Sequence, residues 1–321
     1  MKFSMWLPVT ALMVLSAPVQ AQWQKDQKLK IDGVERSYDL YVPDTASAKR
    51  PLVLLLHGHV GSARLMEGRF GVPAPYTRWL ELAKQNDMLV AIPNGEKGSD
   101  RKRGWNDCRA DAKTNPTTDD VKFLLAMIEA IDHEHPVDQS RIYANGTSNG
   151  GNMVIRLALE VPEYFAAVAA VVANHPGKSE CHDKRVPISV LFMNGTADPL
   201  MPYKGGQVGK DKHARGAVLS TAESVDYWVK LDGTKSQPVV YRFPDVDPEE
   251  KSTVVRYSYT GGRDNTEVVL YEIVNGGHSE PSKREKYRWL YKHIAGNQNH
   301  DIEMADEVWG FFEDKSRRLR K

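Results

Sequence analysis

The chain has 321 residues, two cysteines and a formal net charge of +1. A balance this close to neutral gives no electrostatic case for nucleic acid or an anionic membrane as partner. The length exceeds the usual domain, yet α/β folds reach it as one unit, and no internal repeat or low-complexity linker divides the sequence.

Residues 1–21 carry the parts of a secretory signal peptide. Lys2 is basic, an apolar run extends from Met5 to Ala17, and small residues end at Ala21. The run is too short to span a bilayer comfortably, and no other stretch is long and apolar enough to anchor the chain. Cleavage after Ala21 removes the charge of Lys2 and leaves 22–321 neutral. That remainder reads as a single catalytic domain and a monomer, periplasmic or extracellular.

Lys28–Ile31 and Glu35–Val42 alternate as an antiparallel hairpin across Asp32-Gly33. Pro51–Leu56 is a nearly unbroken apolar run, the pattern of a strand buried on both faces. Thr77–Asn86 reads as a helix and Met88–Ile92 as the next strand. Thr117 and Asp120 have capping-box spacing ahead of a helix whose apolar face is Phe123, Leu124, Met127, Ile128 and Ile131, with Pro136 as its stop. Arg141–Asn145 is a strand. A helix follows with Met153, Val154, Leu157 and Ala158 on one face, ended at Val161-Pro162. Phe165–Ala173 and Ile188–Met193 are strand-like, Ala222–Leu231 is helical, and Val239–Tyr241, Val254–Tyr259 and Glu267–Val274 are strands. Helices around Arg284–His293 and Asp301–Phe312 close the chain. The basic tail of Lys315, Arg317, Arg318, Arg320 and Lys321 reads as a frayed, solvated end. Strands and helices alternate through the middle, which implies a mainly parallel twisted sheet with helices on both faces and an antiparallel N-terminal hairpin. Chemistry in such sheets sits at the carboxyl ends of the strands.

Gly146-Thr147-Ser148-Asn149-Gly150 stands between a strand and a helix. That context makes G-x-S-x-G a nucleophile elbow, whose sharp turn needs small residues and leaves the serine hydroxyl exposed. A serine hydroxyl needs a base, and the base needs a carboxylate to orient it. Downstream of Ser148, Asp198 lies directly after strand Ile188–Met193; the competing reading is a turn aspartate before Pro199. His278 follows Glu267–Val274, and Gly276-Gly277 free its loop to bend. His293 and His300 lie in or beside helices, and His213 has no strand before it. The N–H of Asn149 is one oxyanion donor, and the loop His57-Gly58-His59-Val60-Gly61 supplies the other through His59, with Val60 second. His57 and His59 form an H-x-H pair, but no third ligand has matching spacing, so no metal and no cofactor is expected. The sequons at Asn145 and Asn194 lie inside catalytic loops and read as accidents of Gly-rich turns. In an exported chain, Cys108 and Cys181 favour a bridge over two isolated thiols.

These residues, with Leu55-Leu56-His57-Gly58, Gly104-Trp105-Asn106, Asp119-Asp120-Val121, Gly195-Thr196-Ala197-Asp198-Pro199, Pro202-Tyr203 and Gly276-Gly277-His278, resemble the secreted polyhydroxybutyrate depolymerase and feruloyl esterase group of the α/β-hydrolases from about Arg36 to Phe312. The resemblance implies the α/β-hydrolase fold, Ser148 as nucleophile, Asp198 as acid, His278 as base, His59 and Asn149 as oxyanion donors, and a disulfide from the loop after Gly104-Trp105-Asn106 to the loop of Cys181. The sequence departs from the group at His59-Val60, where glycines are usual, and at Ser279-Glu280-Pro281, where Trp-Pro-Gly is usual. Trp105, Met201, Tyr203 and Glu280 are candidate walls of the substrate pocket. The resulting expectation is a secreted serine ester hydrolase acting on a small-molecule or oligomeric ester, hydroxyalkanoate, feruloyl or acetyl. A serine peptidase and an inactive hydrolase-fold binding protein are the alternatives.

Overall fold

The computed structural model describes residues 22–44, 49–68, 75–209 and 215–318. The signal-peptide segment, His213, Arg320 and Lys321 lie outside them. Ten strands build one sheet: β1 (Gln22–Ile31), β2 (Val34–Val42), β3 (Arg50–Leu56), β4 (Leu89–Pro93), β5 (Val137–Thr147), β6 (Ala167–Val171), β7 (Ser189–Gly195), β8 (Val239–Arg242), β9 (Thr253–Tyr259) and β10 (Val268–Val274). Their spatial order is β1-β2-β4-β3-β5-β6-β7-β10-β9-β8. The strands from β4 to β10 in that order are parallel to one another. The hairpin β1–β2 extends one edge antiparallel, and β9 and β8 do the same at the other. Apolar and β-branched residues mark β9 and β10 as strands in the sequence, but only pairing sets their direction.

Besides a single turn at Ala63–Met66, the helices are α1 (Arg78–Gln85), α2 (Asp120–Glu134), α3 (Asn149–Glu160), α4 (Thr221–Asp232), α5 (Trp289–Ala295) and α6 (Met304–Phe312). Strand β3 is buried along its whole length, and its period of two divides the core. Leu52, Leu54 and Leu56 pack with Phe123, Leu124, Met153 and Trp228, so α2, α3 and α4 cover one face. Val53 and Leu55 pack with Trp79, Leu82, Val308 and Phe312, so α1 and α6 cover the other. Each fully buried aliphatic side chain contributes about 1.5–3 kcal/mol, which makes this double-sided burial the main source of sheet stability.

Three expectations are corrected. The cap of α2 is Asp119, whose carboxylate accepts from Lys122 N–H, and Thr117 plays no part in it. Asp120 is instead drawn inward, where its carboxylate accepts from Arg36 at 2.6 Å and from Asn106 N–H at 2.7 Å. The helix expected from Arg284 begins only at Trp289, because the chain before it is held by Ser282, whose Oγ accepts from the N–H groups of Arg284 and Glu285. The tail does not fray at Lys315: that residue is buried, its carbonyl accepts from Tyr143 O–H, and Arg317 N–H donates to Ser140 O.

Candidate active site

Ser148 joins β5 to α3 with φ 56° and ψ −122°. A non-glycine residue held there carries about 1–3 kcal/mol of strain, so its surroundings must impose the shape. They do: Ser148 N–H donates to Val171 O, and Asn152 N–H donates to Ser148 O, both at 2.9 Å. A Cβ at Gly146 would overlap the backbone of Gly150, and one at Gly150 would overlap Leu56 O. Only glycine lets the helix start this close to the strands.

The end of β7 presents Asp198 and the end of β10 presents His278. His278 Nδ1 lies 2.7 Å from Asp198 Oδ2, and Nε2 lies 2.9 Å from Ser148 Oγ. A carboxylate only accepts, so Nδ1 carries the proton and Nε2 is left to accept the serine O–H. Asp198 also meets the turn reading: its Oδ1 accepts from Leu200 N–H and Met201 N–H at 2.7 and 2.8 Å. One carboxylate oxygen shapes the turn and the other orients the imidazole. Burial pulls the His278 pKa down, but the charge and hydrogen bond of Asp198, joined by the charge of Glu280, outweigh it and leave the group above its ordinary 6.5.

The glycines before His278 work differently from the expectation. Neither takes a positive φ; Asn275 does, at 58°. Gly277 is needed because a Cβ there would overlap the Ala295 carbonyl. That proximity lets Gly277 N–H donate to Asn297 O and His278 N–H donate to Ala295 O, at 2.7 and 2.6 Å. His300 is placed elsewhere, its Nδ1 2.7 Å from Ser282 O.

After β3, Val60 N–H donates to Arg103 O at 2.8 Å. The amides of His59 and Asn149 take no acceptor among the described hydrogen bonds. Val60 carries φ 69° and is 53% exposed, an unusual posture for a β-branched residue. The two histidines have separate partners: His57 Nε2 accepts from Gly95 N–H, and His59 Nε2 lies 2.8 Å from Asp100. Burial pushes the His57 pKa down to about 4, partly opposed by its hydrogen bond to Gly58 O.

Ser148 and His278 open onto a cavity of about 720 Å³ whose walls include Leu65, Leu200, Val208 and Leu290. Glu280 also lines it, while Trp105, Met201 and Tyr203 do not. Trp105 is fully buried, its indole N–H donating to His57 O at 2.8 Å. Met201 turns inward beside Asp198. Tyr203 O–H donates to Glu272 at 2.9 Å and borders a separate cavity of about 290 Å³. On α5, Trp289, Leu290 and Ile294 are exposed apolar residues, the first two beside the main cavity.

A solved acetyl xylan esterase from Aspergillus awamori superposes with a TM-score of 0.54 at 14% identity, over 89% of this chain and 98% of that one. Residues 76–198 match the prolyl oligopeptidase family. In sequence, the chain is 31% identical over 182 residues to the probable feruloyl esterase C of Aspergillus flavus, covering 56% of this chain and 61% of that protein. It is 30% identical over 304 residues to the putative esterase NocK of Nocardia uniformis subsp. tsuyamanensis, covering 92% of this chain and 84% of that protein. The chain belongs to the polyhydroxybutyrate depolymerase and feruloyl esterase group of the α/β-hydrolases.

In this α/β-hydrolase esterase the elbow is buttressed through Asp107 and Arg109, which the sequence did not single out. Asn149 Oδ1 accepts from Trp105 N–H at 2.6 Å, and its Nδ2 donates to Trp105 O and to Asp107. Asp107 is held by the guanidinium of Arg109 at 2.6 Å. Cys108, between them, is bonded to Cys181, 73 residues later. Tyr76 and Tyr287 also reach the site, both hydrogen-bonded to Glu280. Asn145 and Asn194 of the two sequons are buried, with no room for a glycan.

Proposed function

We propose that this esterase is an exported serine ester hydrolase that works through an acyl-enzyme. The observation that carries the reading is the continuous contact from Asp198 through His278 to Ser148 at the mouth of an apolar cavity. Ser148 Oγ attacks the ester carbonyl as His278 Nε2 takes its proton, and Asp198 stabilises the imidazolium. The oxyanion is met by the N–H groups of His59 and Asn149. His278 returns the proton to the departing alcohol, then activates a water that attacks the acyl-enzyme and releases Ser148. The names of the relatives and the apolar walls support an acyl or alcohol portion drawn from hydroxyalkanoate, feruloyl or acetyl esters. The disulfide supports folding in an oxidising compartment.

A fluorophosphonate probe tests the nucleophile. The wild type is expected to be labelled and Ser148→Ala not, with turnover lower by roughly 10³–10⁶ and folding retained. Equal labelling of the two proteins, or of neither, sinks the reading. A second reading, amide cleavage by the same groups, rests on the match to the prolyl oligopeptidase family. Turnover of p-nitrophenyl acetate against a peptide anilide separates the two.

A further inference from the structure

We propose that Glu280 makes the floor of the cavity select esters that bring a hydroxyl beside the scissile bond and reject esters that bring a carboxylate there. The proposal rests on the ester-hydrolase reading.

Glu280 is 2% exposed and lines the cavity. Its Oε1 accepts from Tyr76 O–H and its Oε2 from Tyr287 O–H. Burial, and then the charge of Glu280, hold both phenols well above their ordinary pKa, so both keep their protons. Tyr76 Oη lies 2.6 Å from Thr147 Oγ1. With the phenol proton committed to Glu280, Thr147 is the donor in that contact. The carboxylate is therefore tied, through one phenol, to the residue immediately before Ser148.

This charge is incompletely compensated. No described ion pair includes Glu280, and the two phenols fill about two of a carboxylate's four acceptor positions. A buried charge in that condition carries a desolvation cost. A substrate hydroxyl arriving as donor offsets the cost, and a second carboxylate adds repulsion in a medium where water screens poorly. Arg215 and Arg288 also line the cavity. Arg288 is exposed and Arg215 half-buried, so solvent weakens their pull on an anion held at the floor. Apolar side chains, Leu65 and Met66 among them, line the cavity together with the polar side chains of His59, Thr147 and Tyr291. Those three already have partners in Asp100, Tyr76 and His278 O, so outside the Ser148–His278 pair a polar group on the substrate finds spare acceptor capacity at Glu280.

The test compares kcat/KM for esters of matched size. p-Nitrophenyl butyrate, 3-hydroxybutyrate and hemisuccinate vary the acyl side. Acetate esters of butanol, 1,3-butanediol and 3-hydroxybutyrate vary the alcohol side. On one of the two sides the hydroxylated ester should exceed its plain analogue, and the carboxylate ester should fall below it, each by about tenfold, the scale of one charge-assisted hydrogen bond. In Glu280→Gln both ratios should move toward one, read on protein still labelled by the fluorophosphonate. A side chain with a merely structural role would lower all six rates together and leave the ratios in place. If Glu280→Gln does not fold, Tyr287→Phe decides: with one donor removed from Glu280, rejection of the carboxylate ester should strengthen. Ratios near one on both sides in the wild type, or ratios unmoved in the variant that folds, overturn the proposal. A wild type that is neither labelled nor active on any of the six fails the ester-hydrolase reading instead.

Discussion

At the scale of single residues, the proton on His278 and the posture of Val60 give measurable consequences. His278 must be neutral to accept from Ser148, and its pKa is raised above 6.5. Ester turnover should therefore climb with pH and reach half its maximum above pH 6.5, as a kcat/KM profile would read; a midpoint below that value contradicts the geometry. The sign for stability is opposite. A raised folded-state pKa contributes stability in full below pH 6.5 and loses it as pH passes the folded value. The pH that awakens the base thus removes the extra stability of its charged form. Val60 has φ 69° where glycine would rest without strain. Val60→Gly relieves about 1–3 kcal/mol of strain against about 0.5–1 kcal/mol of added chain entropy, so a modest rise in Tm is expected. A drop in Tm would show that the valine side chain makes compensating contacts.

At the scale of elements, two ties decide whether the site holds its shape. Asp120 at the start of α2 and Arg36 on β2 form a buried pair at 2.6 Å, with the guanidinium over the Phe123 ring. Asp120→Ala leaves that cation with only its longer ion pair to Glu96, at 3.5 Å, and should lower unfolding free energy by about 3 kcal/mol in urea titrations. A loss under about 1 kcal/mol would mean the pair is dispensable. The second tie is the disulfide. Cys108 stands beside Asp107, which holds Asn149 next to Ser148. The double variant Cys108→Ala/Cys181→Ala should lose about 2–4 kcal/mol of stability and also turnover at temperatures where it remains folded. Stability lost with turnover intact would separate the bridge from the site. How far the sequence revealed these elements follows from what each depends on. The elbow was legible because glycines, serine and flanking periodicity are local, and His278 was legible because β10 is a nearly continuous apolar run that ends just before it. The pocket walls were not, since adjacent loop residues diverge: Leu200 faces the cavity while Met201 turns inward, and Tyr203 crosses to Glu272. The α2 cap was misplaced because Thr117-Thr118-Asp119-Asp120 offers several capping side chains in a row, and burial against Arg36 chose among them.

At the scale of the whole molecule, the neutral histidines beneath the sheet's rim set an acid limit. His57 and His175 are buried, and burial drives each down to about 4. A depressed folded-state pKa contributes stability above pH 6.5 and loses it as pH falls toward 4. Urea midpoints should therefore decline across that window. His175 packs against Tyr227 and Trp228, so His175→Phe keeps an aromatic ring there but cannot take up a proton, and its decline should be shallower. A curve identical to that of the wild type would assign the acid sensitivity to other groups. The proposed reacting groups and the cavity wall beside them have different supports. Ser148, Asp198 and His278 ride on the ends of β5, β7 and β10, fixed by the sheet. Glu280, Tyr287, Trp289, Leu290 and Tyr291 follow one another on the single stretch between β10 and α6. A large part of the cavity wall thus rides on one short stretch, so exchanging residues 280–294 between relatives should shift ester preference while the proposed nucleophile, base and acid keep their places.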